Sequence, residues 1–189
     1  MPPKLLSTPT GIVWTSPNQQ THYEDAVVQK IHFICHPPHE VDDPPTKYTN
    51  HWIFSLETTS LQSVQVNLGS APITNKLRLE VTPKPYIVDT DVLFYVTLVP
   101  VQSLTVKEVL DLIKLNGLDK YTLDSDGNGC RFWILQFLTH LNETGKVSNS
   151  QATADLVDRI GKTWHADATG EITELSPPRG TPVSPGIFD

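Results

Sequence analysis

The stretch HWIFSLETTSLQSVQVNL, residues 51–68, decides the fold class. In its first half Trp52, Phe54 and Leu56 alternate with His51, Ile53 and Ser55; in its second, Val64, Val66 and Leu68 alternate with Gln65 and Asn67. Successive side chains of an extended chain leave on opposite sides, so each run reads as a strand with one buried face. Two such runs in tandem predict a hairpin over 51–57 and 63–68, with the six large apolar residues on the core face. His51, Ile53 and Ser55 then share the other face with Gln65 and Asn67.

Working outward, Ala26 to Cys35 (AVVQKIHFIC) is rich in β-branched and aromatic residues and reads as a strand with Ile31, Phe33 and Cys35 on one face. The following HPPHEVDDPPTKYTN reads as a loop, because its two Pro-Pro pairs cannot sit inside a sheet. Leu77–Val81 and Val92–Val99 supply further strands, the second apolar on both faces and therefore expected at the sheet centre. After Pro100 the period turns helical. Thr105 and Glu108 have capping-box spacing, Val106, Val109, Leu110 and Ile113 form a stripe, and Gly117 sits where a helix stops. Cys130 to Leu141 (CRFWILQFLTHL) is apolar nearly all round, which requires a helix buried on most sides. A third helix is expected over Ser150–Trp164, with Ala152, Leu156, Ile160 and Trp164 on one stripe. Together these elements predict an α+β domain: an antiparallel sheet packed against a buried helix, with two further helices.

Of 16 prolines, eight fall in residues 1–45 and four in 177–189, which sets a single domain over 26–165 between an N-terminal arm (1–25) and a Pro-rich tail (166–189). Lys plus Arg number 14 and Asp plus Glu 21, a net charge of −7, and this argues against nucleic acid, whose backbone needs a basic face. No apolar run approaches the roughly 20 residues that span a bilayer, and the first residues carry no apolar signal core. With two cysteines, Cys35 and Cys130, in unlike settings, a disulfide scaffold is not expected, and the chain reads as cytoplasmic.

Cys130 follows DSDGNG and opens the apolar helix, so its sulfur is expected among unpaired backbone N–H groups at the positive end of the helix dipole. Helix N-termini lower a cysteine pKa, and the thiolate is the nucleophilic form. Gly127 and Gly129 let the chain turn and leave room at the sulfur. A nucleophilic thiol needs a base. His51, at the head of a strand on the polar face of the hairpin, is the candidate, with its other ring nitrogen held by Asn67 or Gln65 from the neighbouring strand. A pairing centred near residue 60 favours Asn67. The backbone N–H of Cys130, with Asn128 as a second donor, is the expected oxyanion site.

A histidine heading a strand, an antiparallel sheet, and only afterwards a cysteine opening a buried helix resembles the circularly permuted branch of the papain-like superfamily, which includes lecithin retinol acyltransferase and its hydrolase relatives. NHWIFSLET together with YTLDSDGNGCRFW is also similar to an uncharacterised family of small fungal proteins. These resemblances span roughly residues 48–142. The papain-like resemblance implies Cys130 as nucleophile, His51 as base and Asn67 or Gln65 as orienter, acting on an ester, amide or thioester.

The leading expectation is a cysteine-dependent acyl hydrolase or acyltransferase for a small molecule or peptide, with Trp52 and Trp133 against the substrate and no cofactor. The rival is a non-covalent pocket protein, a cyclase or isomerase in a biosynthetic pathway, whose cavity Trp52, Trp133, Phe94 and Tyr95 would line. Two metal readings fail. Asp124, Asp126, Asn128 and Gly129 open like an EF-hand loop, but its closing Glu would fall at Leu135. His36 and His39 flank two prolines, and zinc needs three or four converging ligands.

Overall fold

Residues 51–68 form the hairpin that their alternation predicts. Phe54 lies opposite Val66, Ser55 opposite Gln65 and Leu56 opposite Val64. The computed structural model describes residues 11–40, 47–59, 62–70, 77–123, 129–148, 150–176 and 180–188. In chain order the elements are β1 (Gly11–Trp14), α1 (Gln20–Glu24), β2 (Lys30–Glu40), β3 (Tyr48–Thr59), β4 (Gln62–Ser70), β5 (Leu77–Lys84), β6 (Phe94–Leu98), α2 (Val106–Leu115), β7 (Tyr121–Thr122), α3 (Cys130–Glu143), α4 (Gln151–Ile160), β8 (Trp164–Ala166), β9 (Ile172–Glu174) and β10 (Ile187–Phe188). The fold is α+β. Its main sheet has the order β1-β5-β4-β3-β2-β6, antiparallel throughout except for the parallel pair β1–β5.

One sheet face is the core. Phe33, Phe54, Leu56, Val64, Val66 and Val81 are fully buried there. The helix α3 supplies the other half: Trp133 and Phe137 stack on Phe54 at centroid separations of 6.2 and 4.7 Å, and Phe137 meets Phe33 at 6.3 Å. The helix α2 adds Val106, Val109, Leu110 and Ile113, all buried. Its capping box forms as the sequence predicts: Glu108 N–H donates to Thr105 Oγ1 at 3.2 Å, and Thr105 N–H donates to Glu108 Oε2 at 2.7 Å.

Four expectations need correction. The strand β2 does not stop at Cys35 but runs through Pro37-Pro38 to Glu40, with a bulge between Cys35 and Pro38. Its pairing with β6 ends at Cys35–Phe94, so beyond that point β2 is an edge, where a missing N–H costs no ladder bond. Residues 41–46 of the expected loop lie outside the described residues. Second, β6 is the edge strand, not the centre: Phe94 and Leu98 turn inward while Tyr95 and Val99 are exposed. Third, α4 ends at Ile160 and Trp164 begins β8. Fourth, the folded body extends beyond 26–165. The strand β1 joins the sheet, β9 pairs with β8 and β10 with β7, and Thr181 N–H donates to Tyr48 O at 3.1 Å.

The connection from β5 to β6 has to pass β4, β3 and β2, and it crosses the second face of the sheet. The Tyr86 carbonyl accepts from Ser63 Oγ on β4 at 2.6 Å, and the Asp91 carbonyl from His36 Nδ1 on β2 at 2.8 Å. Residues 85–93 thus form a strap over the polar side of the hairpin. No helix among the described residues is long and apolar enough to cross a membrane.

Candidate functional site

The register places Asn67 one diagonal step from His51, whereas Gln65 faces Ser55, farther along the strand. The His51 Nε2–H donates to Asn67 Oδ1 at 2.7 Å. An amide oxygen only accepts, so this bond fixes the proton on Nε2 and leaves the lone pair on Nδ1. Burial lowers the His51 pKa, against the Asn67 hydrogen bond, which raises it. The ring is therefore a neutral base at pH 7. The His36 ring lies beside it at a centroid distance of 6.0 Å.

The main-chain ladder between β3 and β4 ends at Phe54–Val66, and from there the two strands fork. The even-numbered residues of β3 turn their backbone groups away from β2, toward the side that β4 leaves. Two other segments satisfy them. Cys130 Sγ donates to Asn50 O at 3.8 Å and accepts the Trp52 N–H, while Tyr48 O takes the Thr181 N–H and Oγ1–H, both at 3.1 Å. The sulfur is thus seated on the residues flanking His51, and the His51–Asn67 bond bridges the same fork. No hydrogen bond joins thiol and imidazole.

The thiol sits at the first residue of α3, as expected, but its charge state differs from the expectation. Burial pushes the Cys130 pKa up. The Trp52 N–H, the Arg131 charge and the N–H groups of Arg131 and Cys130 pull the other way without overcoming it. Desolvation disfavours the charged form more than one helix terminus favours it. Cys35 is pushed up by burial as well. Gly129, which caps the helix, has φ +127°, and a Cβ there would meet Tyr121 Oη at 2.6 Å. Only glycine fits this turn.

The two tryptophans expected against a substrate are core residues, both fully buried. Trp133 stacks on Phe54 and Phe137 and donates Nε1–H to Leu118 O at 2.7 Å. Trp52 packs edge-on against Phe94, with its Nε1–H lacking a partner among the described residues. Asn128 lies outside the described residues. A cavity of about 250 Å³ lined by Pro38, Tyr48, His165 and Leu175 lies next to Asn50, which pairs with Pro38.

Three features escaped the sequence reading. Asn50 is fully buried and ties the fork to the C-terminal region: its Nδ2 donates to His36 O and Trp164 O, both at 2.9 Å, and its Oδ1 accepts the Trp164 N–H at 2.7 Å. Arg131 is buried against the carbonyls of Lys162, Thr181 and Pro182. A lone charge inside CRFWILQF was a visible signal for it. On the second sheet face His32 bonds Glu57 at 2.8 Å and Thr97 at 2.9 Å, and Lys30 reaches Glu57 at 3.1 Å. Burial raises the Glu57 pKa, but the bonds from His32 and Lys30 prevail and hold it below the usual value.

A family model described as Domain of unknown function (DUF7770) matches residues 31–188. No curated protein and no solved structure matches the chain.

Proposed function

We propose, for a chain that belongs to the DUF7770 family, that Cys130 and His51 act as nucleophile and base of an acyl hydrolase or acyltransferase, with Asn67 orienting the imidazole. The observation that carries this reading is the fork. Asn67 holds His51 by Nε2 and leaves Nδ1 unprotonated, and Cys130 is hydrogen-bonded to the two residues on either side of His51. This ordering of roles is that of the permuted papain-like proteins that the sequence resembles.

Because the thiol rests protonated, deprotonation accompanies attack. As the Sγ–C bond forms, the Sγ proton passes to His51 Nδ1 and the carbonyl electron pair moves onto oxygen. Collapse expels the leaving group, which takes the proton from His51 and leaves an acyl-Cys130 for water or a second nucleophile to release. The N–H groups of the first turn of α3 are the donors for the oxyanion. The cavity beside Asn50 is of a size for a short acyl chain or one peptide side chain.

The test uses p-nitrophenyl acetate as acyl donor and mass spectrometry to locate the adduct. Acetylation of Cys130 faster than that of free cysteine, with a loss of about 10²–10⁴-fold in His51→Ala, is the expected result. No Cys130 adduct, or an unchanged rate in His51→Ala, overturns the proposal. A second reading, non-covalent binding in the same cavity, draws support from the burial that keeps the thiol protonated. Ligand conversion retained in Cys130→Ala distinguishes it.

A further inference from the structure

Arg131 is 3% exposed, and every hydrogen-bond partner of its guanidinium among the described residues is neutral: Lys162 O at 3.1 Å, Thr181 O at 2.7 Å, Thr181 Oγ1 at 3.0 Å and Pro182 O at 2.7 Å. A buried cation is normally matched by a carboxylate, because neutral dipoles replace only part of its lost hydration. The other cations near this end of the sheet are matched. Arg159 pairs with Asp155 at 2.9 Å, and Lys162 with Asp158 at 2.8 Å. Among the described residues, the other thiol close to Cys130 and Arg131 is the fully buried Cys35 on β2. It is uncharged at neutral pH, since burial raises its pKa. Of the two thiols, Cys130 is the less buried, adjoins Arg131 in the chain and already holds the Trp52 N–H on its sulfur, so it is the one placed to become an anion.

We infer that Arg131 is the counter-ion of the Cys130 thiolate, a positioning residue that acts through the sulfur and is itself held by main-chain carbonyls of the C-terminal segment. The carbonyl cradle explains why the cation is tolerated at rest. When the thiol proton leaves, an opposite charge appears one residue away in a buried setting, where charge pairs are weakly screened. Thr181 and Pro182 therefore do more than close the fold: they hold the guanidinium beside the fork, where Thr181 also bonds Tyr48 O. The inference rests on the reactivity proposed for Cys130, but its test does not use turnover.

The rate of iodoacetamide alkylation at Cys130, located by peptide mass in the full chain, is measured from pH 6 to pH 10 for wild type, Arg131→Lys and Arg131→Met. Loss of the charge in Arg131→Met is expected to move the midpoint upward and slow the reaction at pH 7.5 by about tenfold for each unit of movement, with Arg131→Lys staying close to wild type. A merely structural role gives the opposite sign: loosening exposes the sulfur and speeds alkylation at every pH with an unmoved midpoint, which overturns the inference. Should Arg131→Met fail to fold, wild type alone decides. The guanidinium ¹⁵N resonances of Arg131 are expected to titrate with the same midpoint as Cys130 ¹³Cβ, and resonances that do not move overturn the inference. Acylation failing while this shared titration persists removes the hydrolase reading and leaves the ion pair standing.

Discussion

Replacing Gly129 by Ala tests the turn that delivers Cys130. The residue has φ +127°, a region that side chains rarely adopt, at a cost of about 1–3 kcal/mol. The new methyl would also lie 2.6 Å from Tyr121 Oη and 3.3 Å from Leu123 Cδ2. Tyr121 cannot simply retreat. Its hydroxyl donates to Gly129 O at 3.2 Å and accepts the Gly186 N–H. Crowding of this kind adds about 1–3 kcal/mol. The expected loss is then about 2–6 kcal/mol, measured by urea denaturation against a total stability of about 5–15 kcal/mol. Tyr121→Phe separates the two contributions. In the double variant the contact with the hydroxyl is gone, leaving the backbone strain and the looser contacts with Leu123 and the ring edge, so the double loss falls short of the sum of the single losses by about 1 kcal/mol or more. A Gly129→Ala loss below about 0.5 kcal/mol, the range of an ordinary surface substitution, refutes the argument. So does strict additivity with Tyr121→Phe, which would mean that the hydroxyl and the new methyl never meet.

Three further outcomes are expected. His32, His36, His39 and His51 all have pKa values lowered chiefly by burial, so the unfolded chain binds more protons in acid; stability is complete above about pH 7 and falls as pH drops below about 6.5, and urea midpoints that agree at pH 7.5 and 5.5 would contradict this. Phe137→Ala removes a fully buried ring stacked on Phe54 and Trp133, and equilibrium unfolding should show a loss of about 3–5 kcal/mol. Thr105→Ala removes the hydroxyl half of the α2 capping box, the acceptor of the Glu108 N–H, and should cost about 1 kcal/mol by thermal or chemical denaturation, while Thr105→Ser recovers most of it.

Local pattern was enough for what depends on neighbours in the chain. The alternation of residues 51–68 determined the hairpin, its core face and its register, and with the register came the choice of Asn67 over Gln65 as partner of His51. Thr105, Glu108 and the Val106–Ile113 stripe determined α2 in the same way, because a cap and a 3.6-residue period are properties of a single segment. Tertiary structure decided the rest. The apolar run at 92–99 carries no mark of whether one or two strands flank it, so its edge position followed only from where the strap returns the chain. The two proline pairs read as a barrier, yet Pro37 and Pro38 continue β2, since past Cys35 no β6 neighbour requires their N–H groups. The fork between β3 and β4, and the thiol that fills it, join residues 80 positions apart, Asn50 and Cys130. The charge state of that thiol was likewise invisible in the sequence: a helix terminus can be read from a Gly-rich turn, but desolvation depends on everything that packs around the sulfur.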